Sequence, residues 1–228
     1  MESTKSAEPS AITSQPGATN PPAAPGAEEG LIHIRNMEAQ DIDLVAPILV
    51  EAFHDKVEHV VGKSGMEDMA RLTASALTRS PYSWHRYYVA MYDGKLAGIL
   101  VIKFHDSTPE DFGTCDACSH IGCWGSCRMM LLGLALTNSQ IGATQCYVDT
   151  VGVDAAFRGK GIGTALLDRA DAEARQRGCT TTFLWVTQHN RAVRLYERHG
   201  YVVTHPFGNC FTQCAVGTRD WYNMEKQL

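Results

Sequence analysis

No run of eighteen apolar residues occurs in this chain, so no membrane-spanning helix is expected. The nearest candidate, Met129–Leu136, is far too short. Basic residues are not in excess. The formal net charge is −5, which argues against nucleic acid as a partner. Residues 1–30 contain no aromatic side chain and no arginine, yet hold five of the nine prolines. Such a segment buries too little apolar surface to offset its ordering entropy, and a disordered tail is expected there. It lacks the apolar core of a secretory signal, and Glu2, Glu8, Glu28 and Glu29 count against a transit peptide. A cytoplasmic protein is the expectation. Cysteine is not scarce, at eight residues, but without a secretory signal a disulfide framework is not expected.

What remains after these exclusions is a chain of 228 residues with 44% hydrophobic and 20% charged residues, a composition suited to one domain over residues 31–228. Leu31–Arg35 alternates apolar and polar residues and predicts a first strand. Asp41 then caps a helix with apolar positions at Leu44, Val45, Ile48, Leu49 and Phe53, interrupted by Pro47. A second helix is predicted from Glu67 to Leu77. Tyr87–Tyr92, Asp93-Gly94 and Leu96–Phe104 read as a hairpin, because Asp-Gly supplies the positive φ angles of a type I′ turn. Residues 105–122 read as irregular and residues 123–136 as helical. Later strands are predicted at Cys146–Val153, Thr180–Val186, Tyr201–Thr204 and Trp221–Lys226.

The centre of the pattern is Val148–Ala165. Its first half reads as a strand. Arg158, Gly159, Lys160, Gly161, Ile162 and Gly163 read as a tight loop, and a helix is predicted from about Thr164 to Arg177. That helix is expected to bury Ile162, Leu166, Ala170 and Ala174 and to expose Asp168, Asp171, Glu173, Arg175 and Gln176. A strand, a glycine loop and a helix N-terminus together make an anion site: backbone N–H groups and the positive end of the helix point the same way. The spacing is not that of a Walker loop, since Gly161 stands where Ser or Thr is required. It is not G-x-G-x-x-G either, since Thr164 replaces the third glycine. The alternative is a glycine-rich connection that holds no ligand.

The run Arg158-Gly159-Lys160-Gly161-Ile162-Gly163 does fit Arg/Gln-x-x-Gly-x-Gly/Ala, and here the sequence resembles the GNAT superfamily of N-acyltransferases. Ala192-Val193-Arg194-Leu195-Tyr196-Glu197-Arg198-His199-Gly200-Tyr201 resembles that family's A-x-x-L-Y-E-x-x-G-F/Y segment. The resemblance implies an α+β fold of three layers, a mixed and mostly antiparallel twisted sheet flanked by helices. It implies acetyl-CoA as the acyl donor, with its pyrophosphate on Arg158–Thr164. Its pantetheine would lie against the backbone of Val151 and Val153, where Gly152 permits a bulge. It implies an amine acceptor, a small molecule or a peptide, attacking directly in a ternary complex. The two helices after the first strand would line the acceptor site.

Tyr196 would protonate the departing thiolate; otherwise it is a core tyrosine. Asp149 lies two residues from Tyr147 on the central strand and resembles a carboxylate that some relatives use to deprotonate the amine; otherwise it is an Asp satisfied by its neighbours. Asn190 stands one place after the position where the family often has Asn, which His189 occupies, and is carried over as a cofactor contact. Cys146 on the central strand leaves an acyl-enzyme variant open. The other class of function is a non-catalytic acyl-CoA sensor or interaction protein. No nucleic acid or membrane partner is expected, and a homodimer is left open. Residues 31–228 carry a formal charge of about −2, since the tail holds four acids and one lysine, a hint toward a cationic small acceptor.

Cys115, Cys118, His120, Cys123 and Cys127 lie close together in the sequence. Cys-x-x-Cys is zinc-knuckle spacing, but no second such pair follows. Zinc, a redox pair and plain thiols are all open, and no metal ligand is assigned.

Overall fold

The computed structural model describes residues 31–108, 117–122, 126, 141–207 and 220–228. Seven strands form one sheet: β1 (Ile32–Asn36), β2 (Tyr87–Tyr92), β3 (Lys95–Lys103), β4 (Gln145–Val153), β5 (Thr181–Thr187), β6 (Val202–Phe207) and β7 (Trp221–Gln227). Their order is β1-β2-β3-β4-β5-β7-β6. Every neighbouring pair is antiparallel except β4 and β5, which are parallel. The hairpin between β2 and β3 turns on Asp93 and Gly94 with φ of 48° and 74°, the left-handed pair that a type I′ turn requires.

The helices are α1 (Ile42–Ala52), α2 (His54–Val61), α3 (Met66–Arg79), α4 (Ile162–Gln176) and α5 (Val193–Arg198). One face of the sheet carries Tyr88, Ala90, Leu100, Ile102, Cys146 and Val148, which pack with Ile162, Leu166, Leu167, Ala170 and Ala174 of α4. The other face carries Tyr87, Val89, Ile99 and Val101, which pack with Val45 and Ile48 of α1 and Leu77 of α3. This is the expected three-layer arrangement with its mixed, mostly antiparallel sheet.

β4 changes phase midway. Val101 of β3 pairs with Thr150 and Ile102 with Val148, so Asp149 is an extra residue bulged out of the ladder. Cys146 and Val148 face α4 before the bulge, and Val151 and Val153 face the same cluster after it. Strict alternation would have sent the second pair to the opposite face. The bulge was expected near Gly152 and sits at Asp149 instead. Gly152 serves a close approach: a Cβ there would lie 3.0 Å from Ile48 Cγ2 and 3.1 Å from Ile99 Cγ2. The missing side chain is what lets α1 settle on the central strand.

Other expectations shift by small amounts for identifiable reasons. α4 begins at Ile162, two residues before Thr164, with Gly161 as its left-handed N-cap. Ile162 and Gly163 therefore belong to the helix and not to the loop. Asp41 does not cap α1 from its side chain. Its carboxylate accepts from Glu38 N–H at 2.8 Å and from the Arg35 guanidinium at 2.7 and 2.9 Å. That arginine holds the Asp41 carboxyl below the usual carboxylate range. α1 runs through Pro47 and exposes Leu44. Three helices, not two, follow β1.

Asp171 was expected on the exposed side of α4 and is buried instead. Lys226, from β7, donates to its Oδ2, and His199 Nε2 stands 3.2 Å from the same oxygen. Residues 117–122 are helical where an irregular segment was expected. The expectations for Cys115, Cys123 and Cys127, and for most of the helix at 123–136, fall outside the described residues. Cys118 is exposed and free, and no cluster of metal-ligating side chains occurs among the described residues.

Candidate active site

The glycine loop closes the end of β4. Asp154 leads out of the strand, its Oδ1 accepting from Ala156 N–H at 2.8 Å, and a short 3-10 turn covers Ala155–Phe157. Gly159 and Gly161 then take φ of 80° and 78°, a conformation that costs other residues strain. Nothing lies within 4 Å of a Cβ built on either residue. Their glycines therefore serve backbone conformation and access, not packing. Gly163 differs, since a Cβ there would meet Leu195 Cδ2 of α5 at 2.8 Å.

Arg158 Nε donates to Val153 O at 3.2 Å, and Lys160 Nζ sits 4.5 Å from the centroid of the Tyr92 ring. The first backbone donor past the loop to find an acceptor is Ala165 N–H, on Gly161 O. Among the described residues, the N–H groups of 159–164 have none. Six successive donors at the positive end of a fifteen-residue helix are the kind of group that can hold an anion.

Beside these donors the sheet opens. β4 and β5 pair only at Gln145–Thr181, Cys146–Thr182 and Tyr147–Phe183. Beyond Tyr147, β5 stays with β7 up to Thr187–Trp221, and β4 stays with β3 up to Val153–Gly98. A cleft follows between Val148–Val153 and the far half of β5, and among the described residues no strand pairs with the edge of β4 that faces it. At its base Tyr147 stacks on Phe183, with ring centroids 5.1 Å apart.

Asp149 is turned out at this point by the bulge. Its Oδ1 accepts from Lys103 Nζ at 3.0 Å and its Oδ2 from Thr150 Oγ1 at 3.1 Å. Burial pushes the Tyr147 phenol well above its ordinary range, with the nearby Asp149 charge and Tyr196 adding to the shift. Tyr196, on α5, is buried against Tyr201, with centroids 6.0 Å apart. Burial pushes its phenol up to about 12.

The face opposite α4 is closed by α1 and α2. Phe53 joins them, and Lys56 of α2 lies over two rings, 5.3 Å from the centroid of Phe53 and 4.8 Å from that of Trp221. Glu51 Oε1 of α1 reaches to 3.9 Å from the guanidinium of Arg158.

The model of the acetyltransferase (GNAT) family matches residues 51–201, more than half of the chain. The chain belongs to that family.

Local similarity to curated GNAT relatives is higher than whole-chain similarity. An acetyltransferase of Agrobacterium fabrum is 44% identical over 55 residues, 24% of this chain and 39% of that protein. An uncharacterized N-acetyltransferase of Methanocaldococcus jannaschii is 46% identical over 50 residues, 22% of each chain. The chain thus spans less than half the length of these relatives. Among solved structures, the N-acetyltransferase of Staphylococcus aureus Mu50 superposes with a TM-score of 0.60 at 16% identity, over 85% of this chain and 99% of that one. A Salmonella typhimurium protein crystallised with its cofactor acetyl-CoA gives 0.55 at 19%, over 86% and 94%. The PaiA N-acetyltransferase of Thermoplasma acidophilum, in complex with coenzyme A, gives 0.54 at 15%, over 87% and 99%. These likenesses show the shared fold.

Within the GNAT fold, the residues named from sequence fall in separate places. Val151, Val153, Arg158, Gly159, Lys160, Gly161, Ile162, Gly163 and Thr164 run continuously along one wall of the cleft. Asp149 lies at the bulge of β4 beside Lys103, and Tyr196 lies in the core cluster on the α4 side. Asn190 lies at the entry to α5, where its Oδ1 accepts from Ala192 N–H at 2.8 Å; its oxygen is used as a cap, and only its amide N–H₂ is left for other contacts. His189 is exposed. Cys146 is fully buried among core residues, and burial pushes its thiol up, so the reactive thiolate is disfavoured there. Sequence reasoning missed Lys103 and Lys56. Lys103 ends an apolar strand and reads as a solvated terminus; Lys56 flanks the apolar side of α2, which buries Val57 and Val60, and a lysine there reads as a solvated flank. Among the described residues, no helix is long and apolar enough to cross a membrane.

Proposed function

We propose that this acetyltransferase moves the acetyl group of acetyl-CoA to a primary amine by direct attack in a ternary complex. The observation that carries the reading is the row of N–H groups at 159–164 that have no acceptor among the described residues, beside the cleft that opens where β4 and β5 part and where the bulge turns Asp149 out. The pyrophosphate takes the cradle, with Arg158 and Lys160 adding positive charge. The pantetheine runs along the unpaired edge of β4 over Val151 and Val153, with the Asn190 amide near its path. The thioester then comes to the bulge. A backbone donor at that edge meets the negative charge that develops on the carbonyl oxygen.

The acceptor nitrogen attacks the thioester carbon from the α1 side as a neutral amine. Asp149 receives its proton, directly or through water, while Lys103 keeps the carboxylate in place. The C–S bond then breaks. A thiol ordinarily titrates near ~8.5, while Tyr196 is held at about 12. Complete transfer of the phenolic proton is therefore uphill. Tyr196 acts as a hydrogen-bond donor to the departing sulfur, and the proton released by nitrogen balances the thiolate.

The test is CoA release from acetyl-CoA across a panel of primary amines and short peptides, with wild type and Gly161→Asp. Amine-dependent release that disappears in the variant supports the reading. Equal release in both shows that the cofactor lies elsewhere. Silence with every amine, together with retained CoA binding, identifies a sensor on the same fold.

A further inference from the structure

Lys56 is a buried cation that the chemistry above does not use. It is 8% exposed. Two less buried lysines each hold a carboxylate, Lys103 with Asp149 and Lys226 with Asp171. Lys56, the most buried of the three, has none: among the described residues no carboxylate or carbonyl accepts from its Nζ, and its chain neighbour Asp55 is exposed. It rests only on the faces of Phe53 and Trp221. Aromatic faces replace part of the lost hydration but satisfy none of the three N–H donors. The same Trp221 ring carries a second buried donor, since its Nε1 has no acceptor among the described residues. Two donors without an acceptor, one of them cationic, call for an anion that the described residues do not supply.

The position of this pair relates it to the cleft. Trp221 opens β7 opposite Thr187, the last residue of β5. Trp185 packs into the same cluster with Val60. Phe183 precedes it by two residues, hence on the same sheet face, and stacks on Tyr147 next to Asp149. Lys56 therefore occupies the face of the sheet from which the acceptor comes, past the point where β4 and β5 part. Asp149 already pairs with Lys103, so Lys56 is left on this face without a paired carboxylate among the described residues, with the exposed Asp55 acting on it only through its charge.

We propose that Lys56 and the Trp221 indole N–H form the anion-recognition subsite of the acceptor pocket, and that the acceptor is an amine that also carries a carboxylate, as an amino acid does. This rests on the transferase reading above. The amine goes to Asp149 and the carboxylate to Lys56, with Phe53 and Trp221 flanking the chain between. Desolvation, which depresses the Lys56 ammonium when the subsite is empty, strengthens the contact once an anion arrives.

The experiment compares matched acceptors, leucine with leucinamide and phenylalanine with phenylalaninamide, beside spermidine. They are run on wild type, Lys56→Met and Lys56→Arg. The different basicities of the paired amines cancel when one protein is compared with another. In Lys56→Met the carboxylate-to-amide ratio of kcat/KM should fall about 10- to 100-fold, as for loss of a charge-assisted contact, and Lys56→Arg should restore much of it. An unchanged ratio, or spermidine as the best wild-type acceptor, overturns the proposal.

A second readout needs neither turnover nor a variant. In the CoA-loaded wild-type protein, N-acetyl-leucine should shift the Lys56 side-chain NMR signals and N-acetyl-leucinamide should not. Lys56 signals that stay put at saturating N-acetyl-leucine overturn the proposal. If they move while no amine releases CoA, the subsite stands and the transferase reading fails. If amines release CoA without carboxylate discrimination, the transferase reading stands and the subsite fails.

Discussion

The two sides of the cleft are built by different means. The proposed donor wall is made of backbone from one continuous stretch, Val151–Thr164, in which a strand edge, two left-handed glycines and a helix N-terminus follow one another. The proposed acceptor wall is made of side chains from distant segments: Phe53 and Lys56 from the α1–α2 region, Lys103 from β3, Tyr147 and Asp149 from β4, and Trp221 from β7. A backbone site fixes its residue types through conformation and allows little substitution. A side-chain site sets specificity through chemistry and can change one residue at a time. The first suits a donor used by many enzymes, and the second suits an acceptor that differs between them.

The comparison can be broken at several points. Gly161→Asp should have the largest effect. It puts a side chain on a residue with φ of 78° and a negative charge into the N–H cradle, and CoA affinity should fall about 100-fold or more, measured calorimetrically. Lys56→Met should leave CoA affinity within about twofold of wild type; a comparable loss there would mean that the two walls are not separate. Tyr196→Phe should lower kcat about 10- to 100-fold with little change in the KM for acetyl-CoA, read from steady-state kinetics.

Tyr196 also gives a sign in pH. Its folded value of about 12 lies above that of a free phenol, so the folded state keeps the proton longer. The stability this adds is whole below about pH 10 and is lost as pH rises to about 12. Chemical denaturation of wild type and Tyr196→Phe between about pH 9 and 11.5 should show the variant with the flatter alkaline decline.

Gly152→Ala should cost about 1–3 kcal/mol, because the new methyl meets Ile48 and Ile99; a lowered midpoint in urea would register it. The smallest effect is expected from Glu51→Gln. Its contacts with Arg158 at 3.9 Å and with His54 at 3.0 Å are both exposed, and their loss should change stability by less than about 1 kcal/mol. A large effect would mean that the two walls are coupled through α1.

The donor wall was legible in the sequence because its information is local. Gly159, Gly161 and the apolar spacing of Ile162, Leu166 and Ala170 lie within a dozen residues, and each sets the conformation of its own neighbourhood. The Asp93-Gly94 hairpin was legible for the same reason. What failed was nonlocal. Gly152 was read as the permit for a bulge, the usual local meaning of glycine in a strand, while its actual constraint comes from Ile48, far away in sequence. The bulge falls at Asp149, where no glycine announces it. Asp171 looked like an exposed helix charge, because its partner Lys226 lies fifty-five residues further on. Lys56 gave no signal, since a lysine in a helix is usually solvated and only the arrival of Trp221 makes it otherwise.

The bulge makes Asp149 the one residue of β4 that the ladder to β3 does not count. Removing it would leave Val148, Val151 and Val153 toward α4 and Gly152 against Ile48, because those faces already alternate once the extra residue is set aside. The ladder would become regular, and the strand would lose a carboxylate and none of its packing. A deletion elsewhere between Gln145 and Val153 has no such outlet unless the bulge absorbs it. The residue proposed to take the proton is thus the residue of β4 that the sheet can most easily do without.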